Sequence, residues 1–459
     1  LNGNAAPEFG GATQDAVYFG EAAALKASHV TVSQPVVSFA ERHHPQDERG
    51  QWLAWENACE MTSDTIVTQG RADPIRHVTD KVRSAVRSGV SSMPRLKETL
   101  RQAEQGIGLL EHTVGEFLPA VIRPRPRRLT VAVTAHCNLR CVGCRYGRDF
   151  MPGEHLTLAE VKDLLTDAKD NGVELVRLYG GEPLLHKDLP AMVRHSVQLG
   201  LATYVTTNGT LLRQKIDALF EAGLRNITIG FYGTGEDYNS YVNRPDRFRR
   251  LEEGLSYARE RYGSALSLQL NYLVMRPTCT LPALEAAWDF AQRFDMSFHT
   301  DLVHYSLPYF TDGTEGDLNF GPEHGDMLQT FVQALSQLKR SHPQRLRDSL
   351  PSIHSIPDWL LKGPGMRVPC DVKNLLWVGA DGTVQLCYVT FKLGNIRERP
   401  LREMLFTPKH QDAARQAFKL NCPNCHCERD GRIQKHLASR LHYATLPAKA
   451  ASLPDTVPA

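Results

Sequence analysis

Between residues 129 and 341, short apolar runs rich in β-branched residues alternate with amphipathic stretches, and that alternation leaves the chain few architectures. Leu129 to Val133 reads as a first strand, and further strands are expected at 174–179, 202–207, 227–231, 266–275 and 297–305. Helical periodicity fills 158–171, 188–199, 211–222, 248–261 and 282–294, and a helix at about 322–341 closes the run. Six strands spaced by helices predict an α/β fold, a parallel sheet with right-handed crossovers.

The segment Thr134–Tyr146, T-A-H-C-N-L-R-C-V-G-C-R-Y, follows the first strand directly. Its cysteines, Cys137, Cys141 and Cys144, are spaced C-x-x-x-C-x-x-C, close enough for one loop to wrap a single centre. Iron–sulfur cubanes are usually held by four cysteines, so three leave one iron without a protein ligand. An open metal position is where a small molecule can bind and react. On spacing alone, a zinc knuckle, a redox dithiol and buried structural cysteines remain alternatives. One β-α-β step later the chain reads Leu178-Tyr179-Gly180-Gly181-Glu182-Pro183, and a further step brings Thr206-Thr207-Asn208-Gly209.

In this order the motifs resemble the radical S-adenosylmethionine (SAM) superfamily, whose cluster loop is C-x-x-x-C-x-x-C and whose second strand ends in G-G-E-P. The resemblance implies a partial (β/α)6, TIM-like barrel, with Cys137, Cys141 and Cys144 holding a 4Fe–4S cluster whose open iron binds SAM. It implies that Gly180, Gly181, Glu182 and Pro183 hold the amino group of SAM through backbone and acidic side chain; glycine permits that close approach. Thr206 and Asn208 become SAM contacts, although Asn-Gly is equally a plain turn. Arg244 matches approximately an arginine that grips the SAM carboxylate, a task suited to a bidentate guanidinium. Two departures are visible. Gly230 stands where many relatives carry a serine, and Gly143 stands where an aromatic is common, which is expected to weaken packing near the cluster and SAM.

Chemistry in such barrels sits at the C-terminal strand ends. Alternation puts Ser267, Gln269 and Asn271 on one face of strand five, and His299, Asp301 and Tyr305 on one face of strand six. That predicts a polar lumen; the plainer reading is that His299 and Asp301 hydrogen-bond each other.

The second cysteine-rich stretch is Cys370 to Cys427. L-W-V-G-A-D-G-T-V-Q-L-C has the alternation and Asp-Gly turn of a hairpin. Leu393-Gly394-Asn395-Ile396, a helical stretch to about 418, and Cys422-Pro-Asn-Cys425-His-Cys427 follow. This resembles the SPASM and twitch extensions of the same superfamily, a small C-terminal β-hairpin/helix domain. It implies one auxiliary 4Fe–4S cluster on Cys370, Cys387, Cys422 and Cys425, with Cys427 spare or replacing Cys425. A four-cysteine zinc site is the alternative. Some relatives place an Asp base after the hairpin's second cysteine; here Tyr388 stands there, so the catalytic candidates are His299, Asp301 and Tyr388.

The remaining expectations are coarser. Residues 1–92 show no sustained period and read as an irregular or disordered extension; the first Met is Met61 and the next Met93, near which a native start is expected. A helical lead-in covers 93–125, the core 126–345, the auxiliary domain 365–430 and a tail 431–459. Arg123 to Arg128, R-P-R-P-R-R, reads as a solvated, proline-stiffened entry. A net charge of +2 argues against nucleic acid, and no apolar run of membrane-spanning length appears. Eight of ten cysteines fall in the two metal-type clusters, which points to a reducing, cytoplasmic setting, and Cys59 and Cys279 read as plain thiols. The expected function is reductive cleavage of SAM to a 5′-deoxyadenosyl radical that takes hydrogen from a peptide or small polar molecule. A flavodoxin- or ferredoxin-type reductant is implied, with no nucleic acid or membrane partner. The alternative is a non-catalytic iron–sulfur electron carrier or zinc-binding scaffold.

Overall fold

The computed structural model describes residues 94–146, 148–307, 309–310, 318–388 and 390–445, with side chains from residue 106 onward. The expectations for 1–92, Cys59 and 446–459 lie outside the described residues.

A helix α1 (Pro94–Phe117) leads into β1 (Arg128–Thr134). The sheet then builds through α2 (Leu158–Asp170), β2 (Leu175–Gly180), α3 (Leu189–Gln198), β3 (Ala202–Thr207), α4 (Leu212–Glu221) and β4 (Asn226–Phe231). Two helices, α5 (Gly235–Val242) and α6 (Arg247–Tyr262), precede β5 (Ser267–Val274), α7 (Leu281–Arg293), β6 (Ser297–Leu302) and α8 (Gly325–Ser341). Among the described residues, β1 to β6 pair in parallel in chain order. The fold is a mostly parallel α/β sheet of the partial TIM-barrel kind with a C-terminal extension.

Local chemistry explains where the elements start. Thr157 and Glu160 form a capping box at α2: the Thr157 hydroxyl accepts from Glu160 N (3.2 Å), and the Glu160 carboxylate accepts from Thr157 N (2.7 Å). The strands alternate as the pattern predicts. In β5 the even-numbered residues Leu268, Leu270, Tyr272 and Val274 are buried, while Gln269, Asn271 and Leu273 are half-buried on the lumen face.

The C-terminal segment is less separate than expected. After α9 (Leu350–His354) and α10 (Ile356–Lys362) come β7 (Leu375–Val378), β8 (Thr383–Gln385) and β9 (Lys392–Asn395). Strand β7 pairs in parallel with β1, Arg128 opposite Leu375, so the expected hairpin extends the barrel sheet at its β1 edge. The helical stretch to 418 is two helices, α11 (Leu401–Met404) and α12 (Pro408–Phe418). The expected tail holds α13 (Arg429–Lys435) and α14 (Leu437–Thr445), tied to α9 and α10 by Tyr443: its carbonyl meets His354 Nδ1 (2.7 Å) and its hydroxyl donates to Asp358 (2.5 Å).

Other expectations need correction. Strand six stops at Leu302, so Tyr305 does not continue the His299–Asp301 face; it turns to within 5.4 Å of the His426 ring. Helix α5 was missed because G-E-D-Y-N-S-Y-V mixes two tyrosines with polar residues and carries no strong apolar stripe. Residues 350–362, unassigned from sequence, form the short helices α9 and α10.

Candidate functional site

At the C-terminal end of β1 the three-cysteine loop is stitched to the glycine motif by backbone bonds that continue the parallel ladder past the strands. Gly181 N donates to Thr134 O (2.8 Å) and Glu182 N to His136 O (2.7 Å). A Cβ on Gly180, at φ +150°, would strike the Thr134 carbonyl oxygen, and one on Gly181 would lie 2.5 Å from that of Ala135. Here glycine is required by close approach to the backbone of the cysteine loop itself, a reason distinct from the ligand approach that the motif implied. The far side of the loop is tied to α5, Arg140 N to Val242 O (3.1 Å) and Val142 N to Tyr241 O (2.9 Å). That places Arg244, whose NH1 donates to Asn243 O (3.0 Å), just beyond the segment that braces the loop.

The three thiols are half-buried. Burial pushes the Cys137 thiol up to about 12 and raises Cys141 and Cys144 as well. Metal binding must displace those protons, which couples occupancy to pH. Arg148 caps the loop, donating from Nε to Cys144 O (2.7 Å) and from NH2 to Cys141 O (3.0 Å). Gly143 corrects the expected weakness: it adopts φ +75°, and a Cβ there would meet Phe310 Cζ at 2.7 Å. An aromatic ring covers this point after all, supplied by the chain after β6.

Glu182 is wholly buried, and its carboxylate is engaged by protein donors: Leu184 N (2.9 Å) and the Thr207 hydroxyl (2.6 Å) on Oε1, Asn208 N (2.8 Å) on Oε2. Burial pushes it up to about 7, against those three hydrogen bonds. The acid thus clamps the end of β2 to the end of β3 and leaves little acceptor capacity for a ligand. Asn208 is likewise committed, donating to Asn138 Oδ1 (2.9 Å) and accepting from Thr210. Asn138 lies inside the cysteine loop, so this network also braces it. Thr206 points elsewhere, accepting from Arg177 Nε (2.9 Å) in the lumen. At Gly230 a Cβ would meet the Tyr232 hydroxyl at 2.6 Å; the space of the absent serine belongs to that phenol.

The C-terminal cysteines converge at the opposite end of the strands. Cys370, Cys387, Cys422 and Cys425 line one cavity together with Arg432. Cys427 does not line it; its Sγ lies 3.3 Å from His304 Nε2. Arg432 is fully buried, stacks 4.6 Å from the Trp359 ring, and bonds the Cys425 and Val368 carbonyls. Its Nε has no partner, and among the described residues no carboxylate pairs with it. A buried, unbalanced cation beside four thiols is costly unless the cavity holds an anion. Metal–thiolate centres are anionic, so the donor set fits the implied cluster.

Between the two cysteine sets runs the lumen. His299 Nδ1 lies 3.2 Å from Asp348 Oδ2, and Asp348, itself wholly buried, also accepts from Thr300 N (2.9 Å) and Arg429 NH2 (2.8 Å). Burial opposes protonation of His299, but Asp348 outweighs it and the imidazole is raised above its ordinary value. Asp301 does not bond His299; it accepts from Asn271 Nδ2 (3.2 Å). The plainer reading of that pair is therefore corrected: β6 places the two side chains a strand repeat apart, and the histidine's acid comes from residue 348. Tyr388 reaches from the auxiliary segment into the barrel, its hydroxyl 3.2 Å from the Thr130 hydroxyl and 3.3 Å from Arg177 NH1.

Sequence reasoning missed Asp348, Phe310, Tyr232 and Asn138, whose roles depend on contacts between distant segments. Arg177 carried a readable signal: one guanidinium inside the apolar strand L-V-R-L-Y.

The profile described as "Radical SAM superfamily" matches residues 131–276, and "SPASM, iron–sulfur cluster-binding domain" matches 370–428. Among curated proteins, the GTP 3′,8-cyclase of Chlorobaculum tepidum is 34% identical over 32% of this chain and 44% of its own length. The AdoMet-dependent heme synthase of Methanosarcina barkeri is 25% identical over 61% of this chain and 82% of its own. Native anSMEcpe with bound AdoMet shares the fold, with a TM-score of 0.50 and 17% identity over 69% of this chain and 96% of that one. The matched region spans less than half the length of the cyclase.

Proposed function

The chain belongs to the radical SAM superfamily and carries a SPASM iron–sulfur domain, and from that premise we propose that it is an enzyme that oxidises or otherwise modifies a peptide or small polar molecule bound in the barrel lumen. The observation that carries this reading is the placement of two cysteine sets at opposite ends of one polar lumen. Cys137, Cys141 and Cys144 would hold the 4Fe–4S cluster that binds SAM, and Cys370, Cys387, Cys422 and Cys425 would hold the auxiliary one. When bound, these groups supply reductive SAM cleavage to a 5′-deoxyadenosyl radical and a second redox centre, fed by a flavodoxin- or ferredoxin-type donor.

The chain's own residues do the positioning. The bonds from Gly181 and Glu182 to residues 134 and 136 hold the cysteine loop and the glycine motif in fixed register. On this reading Gly180, Gly181 and Pro183 keep the backbone open for the amino group of SAM, Arg244 would take its carboxylate, and Asn208 braces the cysteine loop through Asn138, while Thr206 faces the lumen on Arg177. Because Asp348 occupies His299 Nδ1, Nε2 is the atom left to take a proton from the substrate. Asp301 and Tyr388 contribute hydrogen bonds to the same lumen.

The test is anaerobic reconstitution followed by iron and sulfide analysis, then SAM with dithionite and chromatography. About eight irons per chain, as two cubanes require, and 5′-deoxyadenosine are expected. Zinc without iron, and no 5′-deoxyadenosine, would sink the proposal and favour a scaffold.

A further inference from the structure

We infer that the lumen contains a binding subsite for an oxyanion, so that the substrate carries a carboxylate or phosphate held by Arg177. This names the substrate class of the site above and rests on that reading only for what happens after binding.

The subsite is a cavity of ≈ 80 Å³ near the N-terminal ends of β1, β2 and β7. Arg128, Thr130, Arg177, Tyr204, Tyr388 and Glu428 line it. That is room for a single small group such as a carboxylate or phosphate, well below the size of a pocket that holds a whole ligand. Its charge does not balance. Arg128 and Glu428 pair at 2.6 Å and neutralise each other, which leaves the guanidinium of Arg177. Among the described residues Arg177 meets no carboxylate: Nε donates to Thr206, NH1 to Tyr388, and the guanidinium carbon sits 4.8 Å from the centre of the Tyr179 ring. A guanidinium has five N–H donors, and these contacts use two. The other lumen groups with charge, His299 and Asp301, lie on β6 and are engaged by Asp348 and Asn271.

Arg177 is half-buried in the cavity wall, so its guanidinium gives up part of its hydration and an anion in the cavity would restore the lost partners. The structure supplies the rest of an oxyanion site around it: the hydroxyls of Thr130 and Tyr388 are within hydrogen-bond reach of one another, and Tyr204 lines the same wall. Tyr388 and Cys387 are adjacent in sequence and line the two neighbouring cavities, so an anion on Arg177 would sit beside the auxiliary cysteines. The rest of the substrate then extends toward the C-terminal strand ends and the SAM-side loop.

The test uses the reconstituted holoprotein and calorimetric titration at fixed ionic strength with phenylacetate, phenyl phosphate and the neutral isostere phenylacetamide. At least one of the two acids is expected to bind roughly tenfold or more tighter than the amide; which one is tighter separates carboxylate from phosphate. Arg177→Gln is expected to lose that preference, and Arg177→Lys, which keeps the charge without the fork, to weaken it severalfold. If the Gln variant does not fold, the Lys variant carries the test. Equal binding of acids and amide by the native protein, or acid binding by either variant as tight as native, would overturn the subsite. Failure of the native protein to make 5′-deoxyadenosine would count against the enzyme reading and leave this result standing.

Discussion

The two cysteine sets solve opposite problems with the same side chain. The loop at 137–144 presents three half-buried thiols from one continuous segment, braced by its neighbours' backbone. The C-terminal set gathers four cysteines from three separated segments around one small cavity with a buried guanidinium in its wall. On the proposed reading the first arrangement would leave a coordination position open and the second would close one. Open sites suit reaction, and closed sites suit electron storage or structure. The contrast teaches that ligand count and local charge, more than cysteine spacing, separate the two roles.

The strongest way to break this contrast is to delete one set at a time. Cys141→Ala should abolish 5′-deoxyadenosine formation, a loss on the order of a thousandfold or more, while about four irons remain at the C-terminal set. Cys370→Ala with Cys422→Ala should do the reverse, keeping SAM cleavage and its four irons. Iron analysis beside chromatography reads both, and loss of both functions from either variant would show that the sets are not independent.

A smaller effect is expected at His299. Its imidazole is raised above the ordinary value chiefly because Asp348 overcomes burial, so as a base it gains activity only as pH rises through that raised value. Asp348→Asn should lower the histidine's pKa, move the acid limb of the substrate-oxidation profile to lower pH, and cut turnover roughly 10²-fold, within the range of general base catalysis. An acid limb that does not move would remove His299 from the proton path. The same linkage gives stability that is present below the unfolded value and lost as pH rises through the folded one.

The gentlest test sharpens the electrostatic side. Arg432→Met keeps bulk and removes the buried charge beside Cys370, Cys387, Cys422 and Cys425. The auxiliary cluster's reduction potential should fall by on the order of 100 mV, the size of a unit charge a few ångström away at an effective dielectric of about 20. Potentiometric titration followed by electron paramagnetic resonance measures it; an unchanged potential would make Arg432 a purely structural prop.

Much of this was legible in the chain. The strands, their lumen faces and both cysteine sets follow from periodicity and spacing, because those signals are local. What stayed hidden involves partners brought together only by the fold. His299 needs Asp348 from beyond α8, and Asn208 is satisfied by Asn138 two strands away. Tyr305 was placed wrongly because alternation continues in the sequence after the hydrogen-bonded strand has ended. Glu182 was read as a ligand contact, while its buried carboxylate clamps two strand ends.

The ring of Phe310 over Gly143 has a consequence for assembly of the fold. The loop that carries the three thiols precedes β2, whereas the residue that covers it follows all six barrel strands. The contact between loop and ring therefore joins the first strand's end to the chain beyond the last barrel strand, and it can close only when β1 to β6 are all present.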